Sequence, residues 1–196
     1  MPAIEIMIRE NESVKKLYPV TLTRAAFDIN VGGYTLYEMI KEFFPNAKVS
    51  FEARDEVMAI TERKHKKDSV RNPIVIDACS VPSIENMKRI EGITKGKDAS
   101  LDLIEYPHQI IIWHKKICKE NIEFMAERGK FERPEDGVCI GKNVLVHESC
   151  VLDTENGPII IDDDTKVMPF AYIAGPHSKK FSVSLNNLLK DMILVS

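Results

Sequence analysis

Apolar and polar positions alternate with two different periods in the first 130 residues, and together they predict strands and helices in turn. Ile4, Ile6 and Ile8 are separated by Glu5 and Met7, which predicts an opening strand. Further strands are predicted at 47–51, 74–76 and 101–106, and helices at 34–44, 53–62, 82–90 and 110–128. This alternation is typical of an α/β domain with a parallel or mixed sheet between helices.

Helix ends are marked by local motifs. Thr35 is followed three residues later by Glu38, the spacing of a capping box, and Pro45 stops the same helix. Gly129 follows the predicted helix 110–128 directly, where a C-cap glycine is expected.

Beyond residue 135 the apolar positions recur every six residues. Two columns show this spacing, each with one nine-residue step across 154–158: Ile140, Val146, Leu152, Ile161, Val167 and Ile173; and Val138, Val144, Cys150, Ile159, Thr165 and Ala171. A hexapeptide period is typical of a β-helix, in which three hexads make one coil. Residues 138–176 would supply about two coils, and a β-meander with coincidental spacing stays open as the alternative.

The last residues return to helical spacing. Leu185, Leu188, Leu189, Met192 and Ile193 predict an amphipathic helix, with Ser184 as its N-cap. The helix would cover the open end of the last coil or pack elsewhere on the domain. The patterns divide the chain into a domain of residues 1–135 and a second of residues 136–196.

Composition narrows the functional class. The 196 residues are 44% hydrophobic and carry a net charge of −3, which argues against a nucleic-acid or membrane-surface partner. No apolar run approaches the ~18 residues of a membrane-spanning helix, and no signal peptide is visible. The four cysteines form no CxxC pair, which favours a reduced, cytoplasmic protein.

The loop after the opening strand carries the candidate chemistry. It holds Lys15, Lys16 and Arg24, and then Gly32 and Gly33 just before a helix. Loops after strands bind ligands in α/β sheets, an arginine can grip a phosphate with two hydrogen bonds, and glycines let the backbone approach an anion. An ion pair of Arg24 with Asp28 or Glu38 is the structural alternative.

Three segments resemble a divergent family of sugar nucleotidyltransferases. Leu-Tyr-Pro-Val-Thr-Leu-Thr-Arg at 17–24, followed by Asp28 and Gly32, is similar to the family's opening motif. Tyr106-Pro107-His108 is similar to its Tyr-Pro-Trp-Asp motif before a helix, and 157–161 and 168–176 to its first β-helix coils. The resemblance covers residues 4–176, and relatives are known as UDP-N-acetylglucosamine pyrophosphorylase/glucosamine-1-phosphate acetyltransferases or glucose-1-phosphate thymidylyltransferases.

The resemblance implies a fold and a reaction. The fold would be a Rossmann-like sheet with helices on both faces, followed by a short left-handed β-helix and a C-terminal helix. A sugar-1-phosphate would react with a nucleoside triphosphate, with Mg²⁺ as cofactor, to give a nucleotide sugar and pyrophosphate. A dimer or trimer of the chain is also implied.

The implied site falls on named residues of this chain. Arg24 would hold the triphosphate, and Asp77, at the end of the strand 74–76, would bind the metal; a helix N-cap or turn role explains Asp77 equally well. The other residues implied to bind substrate are Arg9, Lys15, Lys16, Thr23, Asp28, Gly32, Gly33 and Pro107.

Four positions depart from the family pattern. Arg9-Glu-Asn-Glu-Ser stands where the wider superfamily has a glycine-rich loop, and Ala25 replaces a proline. Asp77-Ala-Cys79 lacks the family's arginine, and His108 replaces its tryptophan. The coils that hold the family's acetyltransferase site have no counterpart in this sequence, so acetyl transfer is not expected. A catalytically inactive, nucleotide-binding regulatory subunit and a structural oligomerisation module remain as alternatives to the enzyme.

Overall fold

The computed structural model describes residues 4–179, and its contacts divide the chain into two compact units, residues 1–117 and 118–196. The change of sequence pattern at residue 135 falls within the second unit, and the domain division 1–135 and 136–196 stays a prediction. The helix predicted from Leu185 to Ile193, with Ser184 as its cap, lies outside the described residues.

The first unit contains three strands and helices that alternate with them. The strands are β1 (Glu5–Arg9), β2 (Lys48–Glu52) and β3 (Ile74–Asp77). The helices are α1 (Leu36–Phe43), α2 (Asp55–Lys64), α3 (Ile84–Thr94) and α4 (Pro107–Arg128), of which α4 crosses the boundary between the units. Each lies where the sequence predicts it, with ends that shift by a few residues.

The three strands form one parallel sheet with the order β2-β1-β3. Ile6 and Ile8 are fully buried because β1 is central and pairs on both edges. Arg9 lies in register with Glu52 on one side and Asp77 on the other, so all three strands end at the same edge.

The capping box predicted for α1 is confirmed. The Glu38 backbone N–H donates to Thr35 Oγ1 at 3.2 Å, and the Thr35 N–H donates to Glu38 Oε2 at 3.0 Å. Both orphan donors at the start of the helix are thereby satisfied. Leu36, Met39 and Ile40 are then buried along one face, as the helical spacing predicts.

The strand predicted at 101–106 is wrong. The segment makes one isolated bridge, between Leu103 and Ser80, and Ile104 N–H donates to the Cys79 carbonyl. The Val81 N–H also donates to the Asp102 carbonyl at 2.9 Å, so backbone pairing is confined to the short stretch 79–81. The buried side chain of Asn86 bonds both backbone groups of Asp102, at 3.0 Å each.

The described part of the second unit, residues 118–179, contains seven short strands: β4 (Val138–Ile140), β5 (Leu145–Val146), β6 (Val151–Asp153), β7 (Ile159–Ile161), β8 (Lys166–Val167), β9 (Tyr172–Ala174) and β10 (His177–Lys179). They form three small sheets, β10-β7-β4, β5-β8 and β6-β9, in which every pair is parallel. The β-meander alternative is therefore wrong, because neighbouring strands of a meander run antiparallel.

The register of these sheets follows the predicted columns. Ile140 pairs with Ile161, Val146 with Val167 and Leu152 with Ile173, three pairs whose numbers each differ by 21 (161 − 140, 167 − 146, 173 − 152). The three most buried members of the apolar cluster are Ile159, Ile161 and Val167.

The chain is thus a mixed α/β protein with short parallel strands. Within residues 4–179, no helix is long and apolar enough to span a membrane.

Candidate functional site

The carboxyl edge of the first unit's sheet is the candidate site. After β1 the chain turns to one side to form β2 and then crosses β1 to form β3. Ligands of open α/β sheets bind where the strand order reverses in this way, outside the strand ends. At this edge the segment 10–31 follows β1 and the loop 78–83 follows β3.

A buried ion pair between Glu10 and Arg54 fixes the first of these loops. Glu10 lies directly after β1, its side chain is 4% exposed, and its carboxylate accepts from Arg54 Nη1 at 3.0 Å. Glu10 also accepts from the backbone N–H groups of Ala26, at 2.7 Å, and Arg54, at 2.9 Å. The far end of the loop is therefore tied back to the end of β1.

Arg24 is held by its backbone, and its side chain reaches solvent. Arg54 Nη2 donates to the carbonyl oxygens of Thr21 and Arg24, the latter at 3.1 Å. The Arg24 guanidinium has no hydrogen bond or ion pair with any residue of the described range, and Thr23 is exposed beside it. The ion pair of Arg24 with Asp28 that the sequence left open is absent there, so Arg24 is a positioned cation with no internal partner.

The three other cations of the predicted site are Arg9, Lys15 and Lys16, and only the first two form ion pairs with carboxylates of the described residues. Arg9 Nε contacts Glu52 Oε2 at 2.6 Å, and Lys15 Nζ contacts Glu12 Oε2 at 2.5 Å. The hydrogen bond that Lys15 donates to the Glu12 carboxylate raises the pKa of Lys15. Lys16 differs, because its Nζ lies 5.8 Å from the centre of the Tyr106 ring and makes no ion pair among residues 4–179.

Asp77 lies where the predicted metal ligand is expected, at the end of β3. Its Oδ2 accepts from Asn11 Nδ2 at 2.5 Å, and its Oδ1 accepts from the Cys79 backbone N–H at 2.7 Å. Asn11 Oδ1 in turn accepts from the backbone N–H of Ser13 at 2.8 Å. The ends of β1 and β3 are thus joined by an amide–carboxylate contact that the sequence did not reveal.

A magnesium ion at Asp77 would depend on its ligand for further oxygens. Mg²⁺ is typically held by one or two carboxylates together with substrate phosphates and water. Within the part of the chain that the structure describes, no three His, Cys, Asp or Glu side chains come close enough to hold a metal. The Asp77 carboxylate fits the nucleotide-dependent kind of site and not a closed protein cage.

Cys79 follows Asp77 but is not a nucleophile. Burial, together with the negative charge of Asp77, raises the pKa of the Cys79 thiol to about 12. The thiol therefore stays protonated at neutral pH, and its sulfur lies 3.9 Å from Ser13 Oγ.

Asp28 faces the interior, away from solvent. Its carboxylate is 4% exposed and contacts His65 Nε2 at 2.5 Å and Lys64 Nζ at 3.2 Å. The His65 ring packs on Tyr37 with ring centres 4.1 Å apart. Lys64 and His65 belong to the basic segment 63–67, so part of that segment has a structural role in holding Asp28.

The charge of Asp28 predicts a pH dependence of stability. Burial raises its pKa, but the hydrogen bond and charge of His65 and the charge of Lys64 outweigh this, and the net pKa is lowered. The ionised Asp28 carboxylate therefore stabilises the folded state at any pH above its ordinary pKa of 3.8. This stabilisation is lost as the pH falls through the lower pKa that Asp28 has in the folded protein. Asp28→Asn should lower the urea midpoint at pH 7 and converge on the wild type below pH 3.8. Asp98→Asn, at an exposed position, should change neither, and a gap that persists in acid would contradict the ion-pair explanation.

Gly32 and Gly33 are explained by a tight turn. Their φ angles are 64° and 91°, and Val31 N–H donates to the Tyr34 carbonyl at 2.9 Å. Two consecutive residues at positive φ are the requirement of a type I′ turn, which favours glycine. The Gly32 N–H donates to His114 Nδ1 at 3.1 Å, so it is already satisfied.

Pro107 is the first residue of α4, where its missing N–H costs nothing. It lies between Tyr106 and His108, whose rings stack at the surface with centres 5.9 Å apart. Arg9 and Asp77 end β1 and β3 at one edge of the sheet, and Lys15, Lys16, Thr23 and Arg24 lie in the segment 10–31 that follows β1, whereas Asp28, Gly32 and Gly33 have local structural roles.

A cavity of about 400 Å³ in the second unit contains none of these residues. Its lining includes Ala126, Arg133, Cys139 and Pro158. Arg133 Nη2 donates to the Ala126 carbonyl at 2.8 Å, and burial raises the pKa of Cys139. The cavity is therefore lined by a buried thiol and by an arginine that already has a partner.

Comparison with known proteins gives a family for the N-terminal part of the chain. No curated protein matches the chain with significant similarity. Residues 6–102 match the model of a family described as sugar nucleotidyl transferase, a range that includes β1 to β3 and both loops of the candidate site. The N-terminal part of this chain is therefore a divergent domain of the sugar nucleotidyl transferase family.

Proposed function

We propose that this protein transfers a nucleotidyl group from a nucleoside triphosphate to a sugar-1-phosphate. A phosphate oxygen of the sugar-1-phosphate attacks the α-phosphorus, the bond from that phosphorus to the β-phosphate oxygen breaks, and pyrophosphate leaves. Such a reaction needs positioning and charge neutralisation more than a protein nucleophile. This agrees with a site in which the Cys79 thiol is buried with a raised pKa and in which Lys16 and Arg24 make no ion pair among residues 4–179.

The exposed Arg24 guanidinium has no hydrogen bond or ion pair among residues 4–179, and this observation carries the proposal. The Glu10–Arg54 pair fixes the Arg24 backbone at the sheet edge, where the family's motif has its arginine. Arg24 would bind the triphosphate with two hydrogen bonds. Asp77 would hold Mg²⁺ together with the phosphates, and the ion would supply charge neutralisation when bound.

The second unit supports a further part of the proposal. Residues 136–179 would form a short left-handed β-helix of about two coils. The support is the set of parallel pairs 21 residues apart and the buried column of Ile159, Ile161 and Val167. The first unit would be Rossmann-like in the same scheme, and the protein would assemble as a dimer or trimer.

The second candidate function is a nucleotide-binding subunit without catalysis. It is favoured by the segment after β1, where Glu10 is buried in an ion pair and Asn11 is bonded to Asp77. A glycine-rich loop would leave free backbone N–H groups there for phosphates. Such a subunit would bind a nucleotide and release no pyrophosphate.

Pyrophosphate release with Mg²⁺, a panel of sugar-1-phosphates and each nucleoside triphosphate tests the proposal. Arg24→Ala should lower the rate roughly 100-fold, as expected for loss of a positioned group that stabilises transition-state charge. Arg71→Ala is the matched control, because Arg71 is exposed and precedes β3 at the opposite edge of the sheet. Nucleotide binding without turnover for any pair would support the second candidate. Equal rates for Arg24→Ala and the wild type would remove Arg24 from the site.

A further inference from the structure

Tyr106 and His108 form an exposed aromatic pair at the start of α4. Their ring centres are 5.9 Å apart and the ring planes differ by 14°, so the two rings are nearly parallel. Tyr106 is 45% exposed and His108 is also exposed. Neither ring is used in the core, and the proposed reaction assigns no role to either.

The pair borders the candidate site through the segment that precedes it. Ile104 N–H donates to the Cys79 carbonyl at 2.8 Å, and Cys79 N–H donates to Asp77 Oδ1 at 2.7 Å. Tyr106 follows Ile104 by two residues, and two Cα–Cα steps span at most about 8 Å. The backbone of Tyr106 therefore lies within about 8 Å of Ile104, which is bonded to the loop 78–83 that follows Asp77, and its ring lies near Lys16 of the segment after β1.

The backbone of Tyr106 is fixed before any ligand binds. Gln109 Oε1 accepts from the N–H groups of Glu105, at 2.7 Å, and Tyr106, at 3.2 Å. Gln109 N–H donates to the Tyr106 carbonyl at 3.0 Å. A ring whose backbone is already ordered loses little further freedom on binding, so it suits a stacking surface.

Lys16 joins this pair to the loop of the candidate site. Its Nζ lies 5.8 Å from the centre of the Tyr106 ring, and this ring is its sole partner within residues 4–179. Such an exposed cation–π contact is weak, and a ligand ring can displace it. The ammonium is then free to contact a phosphate.

We propose that Tyr106 and His108 form the stacking surface for the base of the bound nucleotide, and that Lys16 moves from the Tyr106 ring to a phosphate. The inference rests on the proposed function and adds a base subsite to it. Two nearly parallel aromatic rings match a flat nucleobase better than a puckered sugar ring. Stacking accepts every base, so this surface provides affinity and leaves the choice of base to other contacts.

Calorimetric titration of the full chain with UTP, ATP and inorganic tripolyphosphate, each with Mg²⁺, tests the inference. Tyr106→Ala should weaken binding of both nucleotides about tenfold, the size expected for one lost base–aromatic stack, and leave tripolyphosphate unchanged. Tyr106→Phe keeps the ring and should stay within about twofold of the wild type. Lys16→Ala should weaken the nucleotides and tripolyphosphate alike, whereas Lys15→Ala, at a lysine paired with Glu12, should weaken them less.

The outcomes separate this inference from the function on which it rests. A wild type that binds no nucleotide overturns both. Unchanged nucleotide binding by Tyr106→Ala overturns the stacking surface alone, and so does an equal loss for nucleotides and tripolyphosphate, which would indicate damage to the loop.

Discussion

Arg54→Ala is expected to destabilise the first unit by about 3–5 kcal/mol, because it leaves the Glu10 carboxylate buried without its cation. The Glu10 side chain is 4% exposed and the Arg54 side chain 19%, so water cannot easily take over the lost contact. The variant also loses the hydrogen bonds from Arg54 to the carbonyls of Thr21 and Arg24. Urea unfolding followed by far-UV circular dichroism measures the change.

Arg9→Ala is the matched control for this effect. Arg9 also pairs with a glutamate, Glu52, but both side chains are 49% exposed, and exposed pairs contribute about 0–1 kcal/mol. A double variant, Glu10→Leu with Arg54→Met, should recover part of the lost stability, because no charge is then left buried. Equal effects of Arg54→Ala and Arg9→Ala would show that burial does not govern the Glu10–Arg54 contact.

The same pair has a consequence for the proposed activity. Arg54 does not itself reach a ligand in this arrangement, and it acts on Arg24 through the backbone, so it is a positioning residue. Arg54→Lys keeps the charge but lacks the planar fork that spans Glu10 and two carbonyls. We therefore expect the lysine variant to remain folded and to bind nucleotide more weakly than the wild type.

Local sequence was enough to predict most elements of the first unit. Apolar spacing predicted β1 to β3 and the four helices, and Thr35 with Glu38 predicted the start of α1, since each depends on residues a few positions apart. The segment 101–106 is predicted as a strand, but its backbone pairing is limited to one antiparallel bridge with 79–81, and the Asn86 side chain bonds both backbone groups of Asp102. Asn86 is 16 residues from Asp102, so apolar spacing does not indicate this contact.

The contacts that shape the candidate site could not be predicted because they join residues that are far apart in the sequence. Glu10 and Arg54 are 44 residues apart, and Asn11 and Asp77 are 66 apart. Each is an ordinary polar residue in a loop, and only the parallel register of β1 and β3 brings the second pair together. Arg24 was predicted from a resemblance of its motif, whereas its lack of a partner is visible only in three dimensions.

Ile161→Ala should destabilise the second unit by about 2–5 kcal/mol, the range for truncating a buried isoleucine where the cavity cannot close. Ile161 is 0% exposed and lies in register with Ile140 in the β4–β7 pair. The variant removes one member of the cluster formed with Ile159 and Val167. Thermal and urea unfolding of the full chain, followed by far-UV circular dichroism, give the measurement.

Leu145→Ala is the control that makes the prediction specific to the column. Leu145 is also a large aliphatic residue on a parallel strand of the second unit, but it is 64% exposed. Its truncation should stay within about 0.5 kcal/mol of the wild type, as for other surface changes. Leu145 directly precedes the column position Val146, so it lies on the opposite face of its strand. Leu145→Ala and Ile161→Ala therefore compare an outward position with an inward one. A loss at Leu145 as large as that at Ile161 would mean that the column at 140, 146, 152, 161, 167 and 173 does not define the interior, and the proposed β-helix would lose its main support.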